Sequence, residues 1–151
     1  MTPVPRSALI LTAAGVTPFL WGVATELSPA LADFAMRWIG PRFIGPYVGL
    51  AYGTVILAFM AGALWGFATK ARGQAGVFYA LSVVPALWAF VMVGGGPVMA
   101  AIWLAAGFVG ILGLDWLFLT QGLAPRWWLR LRLPVTAIVV ACILLPVLLN
   151  R

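Results

Sequence analysis

Apolar residues are gathered into five long runs along the chain, and the stretches between the runs hold most of the charged side chains. A helix that crosses the roughly 30 Å hydrocarbon core of a bilayer needs about 20 predominantly apolar residues. The pattern therefore predicts a single integral membrane domain of residues 1–151 with five spanning helices, at about residues 8–27, 48–69, 77–93, 98–120 and 133–149.

The connection between the first and second spans has the signals of a short helix of its own. Ser28 can cap its start, and Pro29 suits the first helical position. Asp33 and Arg37 stand four residues apart and form a predicted ion pair. The large apolar residues of this segment share one face, which predicts a helix lying along the membrane surface. The fold class is therefore an all-α membrane protein with five transmembrane helices and one interfacial helix.

Composition excludes an ordinary soluble domain. Of the 151 residues, 64% are hydrophobic and 8% are charged, whereas soluble domains have about 45–50% apolar and about 25% charged residues. The net charge of +6 comes from basic residues at the edges of the apolar runs. It therefore indicates orientation in a membrane and does not favour a nucleic-acid partner.

The positions of lysine and arginine predict that orientation. With five spans, one side carries six cations, namely Arg6, Lys70, Arg72, Arg126, Arg130 and Arg132. The other side carries Arg37, Arg42 and Arg151. Because cytoplasmic loops are enriched in basic residues, we expect the N-terminus on the cytoplasmic side.

The chain lacks the residues that several kinds of chemistry require. The chain has no histidine and a single cysteine, Cys142, so the usual zinc, haem and copper ligand sets and the histidine-dependent nucleophile systems are absent. Glu26 and Asp33 flank the first connection and Asp115 lies far along the chain, so the sequence does not suggest a carboxylate pair. We therefore predict no catalytic residues, no metal site and no cofactor, and a protein that is not an enzyme.

Glycines at helical spacing predict where spanning helices approach closely, since helix association in lipid depends on small residues. Gly49 with Gly53, and Gly62 with Gly66, point to different sides of the second span. This helix is therefore predicted to pack between two neighbours. Gly107 and Gly110 predict another such face on the fourth span, and an oligomer or partner interface is the alternative use of these faces.

Asp115 is the ionisable residue that the pattern embeds in a span. A carboxylate at a helix centre costs about 2.5–3.5 kcal/mol on insertion scales, so it needs a partner. Arg126, Arg130 and Arg132 follow in the connection before the fifth span. We predict an ion pair that ties the fourth span to this connection as a structural clamp. A proton-transfer or substrate site is the alternative, as is a headgroup site for anionic lipids on the three arginines.

Two blocks of the chain resemble a known family. The first runs from Tyr52-Gly53 through Phe59 to Trp65-Gly66, and the second comprises Asp115, Gly122-Leu123, Pro125, Trp127, the run 129–134 and Thr136. In order and separation they resemble the DUF3429 family of small bacterial membrane proteins, whose eukaryotic relatives are the mitochondrial transmembrane protein 69 group. Leu64 stands where that family often has histidine or arginine. The resemblance implies the bacterial inner membrane, or the mitochondrial one in a eukaryote, and no particular activity.

Two functions fit these expectations best. The first is a non-enzymatic accessory, assembly or stabilising component of a membrane complex, or a lipid-organising factor, with lipids and other membrane subunits as partners. The second is a small transporter, channel or hydrophobic-ligand receptor whose pocket lies near Asp115 and the first span. An enzyme acting on a lipid phosphate is the third, and no nucleophile or base supports it.

Overall fold

The computed structural model describes residues 3–149, and within them the chain forms six α-helices, one short 3-10 turn at Pro41–Phe43 and no β-strand. The helices are α1 (Arg6–Leu27), α2 (Pro29–Trp38), α3 (Tyr47–Ala68), α4 (Ala75–Met92), α5 (Pro97–Thr120) and α6 (Trp128–Leu149). All except α2 are long and apolar enough to cross a bilayer. The protein is thus an all-α multi-pass membrane protein. Arg151, one of the counted cations, lies outside the described residues.

The fifth span differs from its predicted bounds. α6 begins at Trp128, five residues before the predicted start at Leu133, and it continues through Pro134. The basic residues Arg130 and Arg132 are therefore helical and do not belong to a connecting loop. Arg132 can occupy a buried helical position because Asp115 on α5 is paired with it.

α2 is the predicted interfacial helix. The Ser28 hydroxyl accepts a hydrogen bond from the Leu31 amide at 3.4 Å, and Pro29 occupies the first helical position. Its large apolar side chains remain exposed in the structure, as does Ile39 directly after it: Leu31, Phe34, Met36 and Trp38. Asp33 and Arg37 form no ion pair, contrary to prediction. Both are exposed, where an i,i+4 pair contributes only about 0.3–0.5 kcal/mol and does not fix two flexible side chains.

Two hydrogen bonds, which we term the latch, join the segment between α2 and α3 to α1. The Trp21 indole donates to the Phe43 carbonyl at 2.8 Å, and the Gly45 amide donates to the Thr25 hydroxyl at 2.9 Å. Gly45 lies directly against the backbone of Gly22, where a β-carbon would collide with the carbonyl. These contacts join α1 and α3 at the end of the bundle that carries α2.

The five spanning helices close into a ring in the order α1, α3, α4, α5, α6, and α3 also packs on α5 across it. Their shared core is built from large side chains of α1, α3, α5 and α6, among them Phe19, Leu57, Leu64, Leu104, Phe108, Ile111 and Val139. Two basic connections meet at one end, where the Lys70 ammonium donates to the Leu123 carbonyl at 3.3 Å. The helix order therefore brings the end of α5 beside the start of α6, where Asp115 and Arg132 meet.

The predicted packing glycines divide into two groups. A β-carbon at Gly53 would come within 2.7 Å of Leu104, and one at Gly107 within 2.6 Å of Leu57. Gly49, Gly62, Gly66 and Gly110 have open space around the same position. α3 does lie between neighbours, but through Leu57, Ala61 and Leu64. Gly62 and Gly66 lie on the exposed surface, so their predicted helix contact is not formed within this chain.

Gly107→Ala should destabilise the protein relative to Gly110→Ala. The new methyl group at position 107 would lie 2.8 Å from Trp88, whose indole is held by a 2.8 Å hydrogen bond to the Trp103 carbonyl. Overpacking of this kind costs about 1–3 kcal/mol, while glycine to alanine in an open helical position gains up to about 1 kcal/mol. Thermal unfolding in detergent measures the difference. Equal stability of the two variants would contradict close packing at Gly107.

Candidate functional site

Asp115 lies in the last third of α5 and is 1% exposed. A carboxylate in this position has lost water on all sides, which is costly unless its oxygens are bound. Both are. The Arg132 Nε donates to Oδ2 at 3.0 Å, and the Trp128 indole donates to Oδ1 at 2.6 Å. The three side chains form what we term the Asp115 clamp, and it joins α5 to the first two turns of α6.

The spacing of α6 explains how one helix supplies both partners. Trp128 and Arg132 stand four residues apart, and Thr136 follows after another four. Residues at this spacing lie on one face of a helix. Sequence reasoning missed Trp128 as a partner of Asp115 because it placed this residue in the connection before the helix. The repeated spacing of tryptophan, arginine and threonine was the available signal.

The other predicted arginines do not join the clamp. Arg126 and Arg130 are exposed side chains at the same end of the protein, and Arg130 has other interactions. Arg132 is 6% exposed. The four residues predicted as one site therefore separate into a buried ion pair, Asp115 with Arg132, and two surface cations. Within residues 3–149, no group of three potential metal-ligating side chains comes together.

A cavity of about 320 Å³ lies beside the clamp, between α1, α3, α5 and α6. Its walls are mainly apolar and include Val16, Phe19, Ile56, Met60, Phe108, Val135 and Val139. Trp128, Arg132 and Thr136 line it as well. Asp115 is not part of the wall. The cavity is thus an apolar space within the bundle, and the clamp's arginine faces it.

Two buried polar atoms of residues in this wall have no hydrogen-bond partner. They are Nη2 of Arg132 and the hydroxyl oxygen of Thr136, which is 2% exposed. Buried polar groups without a partner are rare in folded proteins and call for an explanation. Thr54, Thr69 and Ser82 show the usual arrangement, since each hydroxyl donates to a carbonyl three or four residues earlier. Thr136 does not.

The cavity opens sideways between α1 and α3. Leu11 on α1 and Phe59 on α3 belong to its wall, yet they are 72% and 65% exposed. Both lie within helices that span the membrane, so the surface they share faces lipid. The cavity wall therefore extends from the buried residues Arg132 and Thr136 to side chains on the lipid-facing surface.

The fold and this buried clamp define a small α-helical multi-pass membrane protein with an internal apolar cavity. The family model described as protein of unknown function, DUF3429, matches residues 4–148, and the chain belongs to that family. No curated protein and no solved structure matches the chain.

Asp115→Asn should cost about 3–5 kcal/mol of unfolding free energy, because it leaves the buried Arg132 charge without its counter-ion. The double variant Asp115→Leu with Arg132→Met removes both charges and should recover most of that loss. Reversible unfolding in mixed micelles measures all three proteins. A double variant as unstable as Asp115→Asn would show that the cost comes from lost packing and not from the unpaired charge.

Proposed function

We propose that this protein is an intramembrane binding protein for an amphipathic molecule taken from the lipid phase. The proposal depends on two buried polar atoms without a hydrogen-bond partner, Arg132 Nη2 and Thr136 Oγ1, which belong to residues in the wall of a mainly apolar cavity. An apolar space with a few convergent polar groups is the usual form of a small-molecule site. The bound molecule places its polar end at these two residues.

The size of the cavity supports this proposal. About 320 Å³ lies at the lower end of the roughly 300–1,000 Å³ that small-molecule sites occupy. The same volume corresponds to about ten water molecules at 30 Å³ each. A buried water needs two to four hydrogen-bond partners. The wall is mostly hydrocarbon and offers few of them. A chain of methylene groups suits it better than a pool of water.

The Asp115 clamp supports the proposal in a second way. Asp115 accepts a hydrogen bond from the Nε of Arg132, and Nη2 of the same guanidinium has no hydrogen-bond partner. The carboxylate therefore fixes the guanidinium while leaving Nη2 to donate elsewhere. Binding groups that are held in place before the ligand arrives lose little conformational entropy when it binds.

The accessory or assembly role, the lipid-organising role and the absence of enzymatic activity remain predictions from the sequence. They are compatible with a ligand site, because an accessory subunit can itself hold a lipid. The orientation with a cytoplasmic N-terminus also remains a prediction, supported by the six basic residues near the ends of the spans on that side against three on the other.

This orientation predicts which loops are reachable from outside. In a Cys142→Ala background, Gly94→Cys in the α4–α5 loop should react with a membrane-impermeant maleimide on bacterial spheroplasts. Gln74→Cys in the α3–α4 loop should react only after the membrane is opened. Both positions are exposed, so their difference reports the side of the membrane. The opposite pattern would reverse the assignment.

Gly15→Leu should abolish ligand binding without harming the fold. Gly15 lines the cavity, and a β-carbon there meets only the Tyr52 hydroxyl at an ordinary 3.6 Å, so the leucine side chain can enter the open space. The probe is dodecane bearing a photoreactive diazirine, added to protein in dodecyl maltoside. Peptide mass spectrometry should find saturable labelling of the cavity wall in the wild type and none in Gly15→Leu.

Gly62→Leu is the matched control. It makes the same change on α3 at an exposed site with open space, outside the cavity wall. It should keep wild-type labelling. Absence of saturable labelling in the wild-type cavity, or equal labelling of Gly15→Leu, would overturn the proposed function.

A further inference from the structure

We infer that the cavity selects ligands whose polar end is a neutral hydrogen-bond acceptor, of the carbonyl type, over ligands that end in an anion. This inference rests on the proposed function, and it assigns the chemical class of the ligand. It follows from the charge already present at the clamp and from the donors that remain unused.

The charge of the clamp is already balanced. The Arg132 guanidinium and the Asp115 carboxylate meet at 3.0 Å, and both residues are buried. Lys70 is an exposed cation in the α3–α4 connection, and it donates to the Leu123 carbonyl and lies over the Phe67 ring. A carboxylate or phosphate beside Arg132 would give the site a net negative charge at low dielectric and would repel Asp115. A neutral ligand carries no such penalty.

The unused groups are donors. A guanidinium nitrogen can only donate, and a threonine hydroxyl can donate as well as accept. Arg132 and Thr136 stand four residues apart on α6 and therefore lie on one face of that helix. A carbonyl oxygen has two lone pairs and can accept from both. An ammonium end can only donate and would leave Arg132 Nη2 without a partner.

Carbonyl acceptors on apolar chains have two abundant sources in membranes, namely lipid esters and quinones. Both enter from the bilayer, which is where the opening beside Leu11 and Phe59 leads. Their shared feature is a neutral oxygen at the end of a hydrocarbon body. The experiment below separates the two sources.

Competition against the diazirine-dodecane probe tests the inference. The competitors are methyl decanoate, a quinone with a decyl tail, dodecane, and decanoate at alkaline pH, all in maltoside micelles, which contain no carbonyl group. We expect one or both carbonyl compounds to displace the probe at about tenfold lower concentration than dodecane, since hydrogen bonds to a charged donor are strong. The better carbonyl competitor identifies the source. Decanoate should be no better than dodecane.

Thr136→Val supplies the residue-level test. Valine has nearly the same shape, and it removes a buried hydroxyl that has no partner, so the folded protein should be at least as stable. The advantage of the carbonyl competitor over dodecane should fall to about threefold or less. Thr54→Val is the matched control, because its hydroxyl is occupied by the Leu50 carbonyl at 2.8 Å and lies outside the cavity wall. It should keep the full advantage.

Equal competition by methyl decanoate, the quinone and dodecane would overturn the inference, and so would stronger competition by decanoate. Either result would leave the proposed function standing, because the probe would still label the cavity in a saturable way. Loss of saturable labelling altogether would instead overturn the proposed function. The two failures are therefore distinguishable.

Discussion

A carboxylate without water must be bound on both oxygens, and in this protein that requirement fixes how α5 and α6 meet. Asp115 takes Arg132 on one oxygen and Trp128 on the other. Both partners come from one face of α6, so the pair of contacts sets the helix's rotation as well as its height along α5. Spanning helices gain little from hydrophobic association with one another in lipid. A specific polar contact therefore has more influence on register here than it would in a soluble bundle.

The same contact explains why an apolar cavity carries polar groups. Arginine has five N–H donors, and one carboxylate held at Nε uses only part of them. The remaining donors stay with the buried side chain. Thr136 adds a hydroxyl on the same face, and it departs from the local backbone bonding seen at Thr54 and Ser82. A valine there would avoid an unsatisfied group, which makes the hydroxyl hard to explain by stability alone.

Much of the fold could be predicted from the sequence, because the length and hydropathy of an apolar run show directly whether it can span a bilayer. The site could be predicted only in part. Asp115 was evident as a charge within an apolar run, but the choice among three arginines depends on where α6 begins, and helix ends are poorly marked by a basic, aromatic strip. The glycines show the same limit. Helices that are apolar all round carry no stripe that reveals their rotation, so Gly53 and Gly107 could not be distinguished from Gly62 and Gly66.

The two ends of α1 are held against α3 by different kinds of contact. At the α2 end, Trp21 and Thr25 hold the chain that leads into α3, and Gly22 lies against Gly45. Towards the other end of α1, Leu11 and Gly15 line the cavity, and the exposed Leu11 marks its opening to lipid. Polar and backbone contacts thus secure the seam between α1 and α3 at one end, while the cavity end relies on apolar side chains. Apolar contacts with lipid can replace those between helices at little cost, so the proposed ligand would enter at this end of the seam while the contacts at the α2 end stay in place.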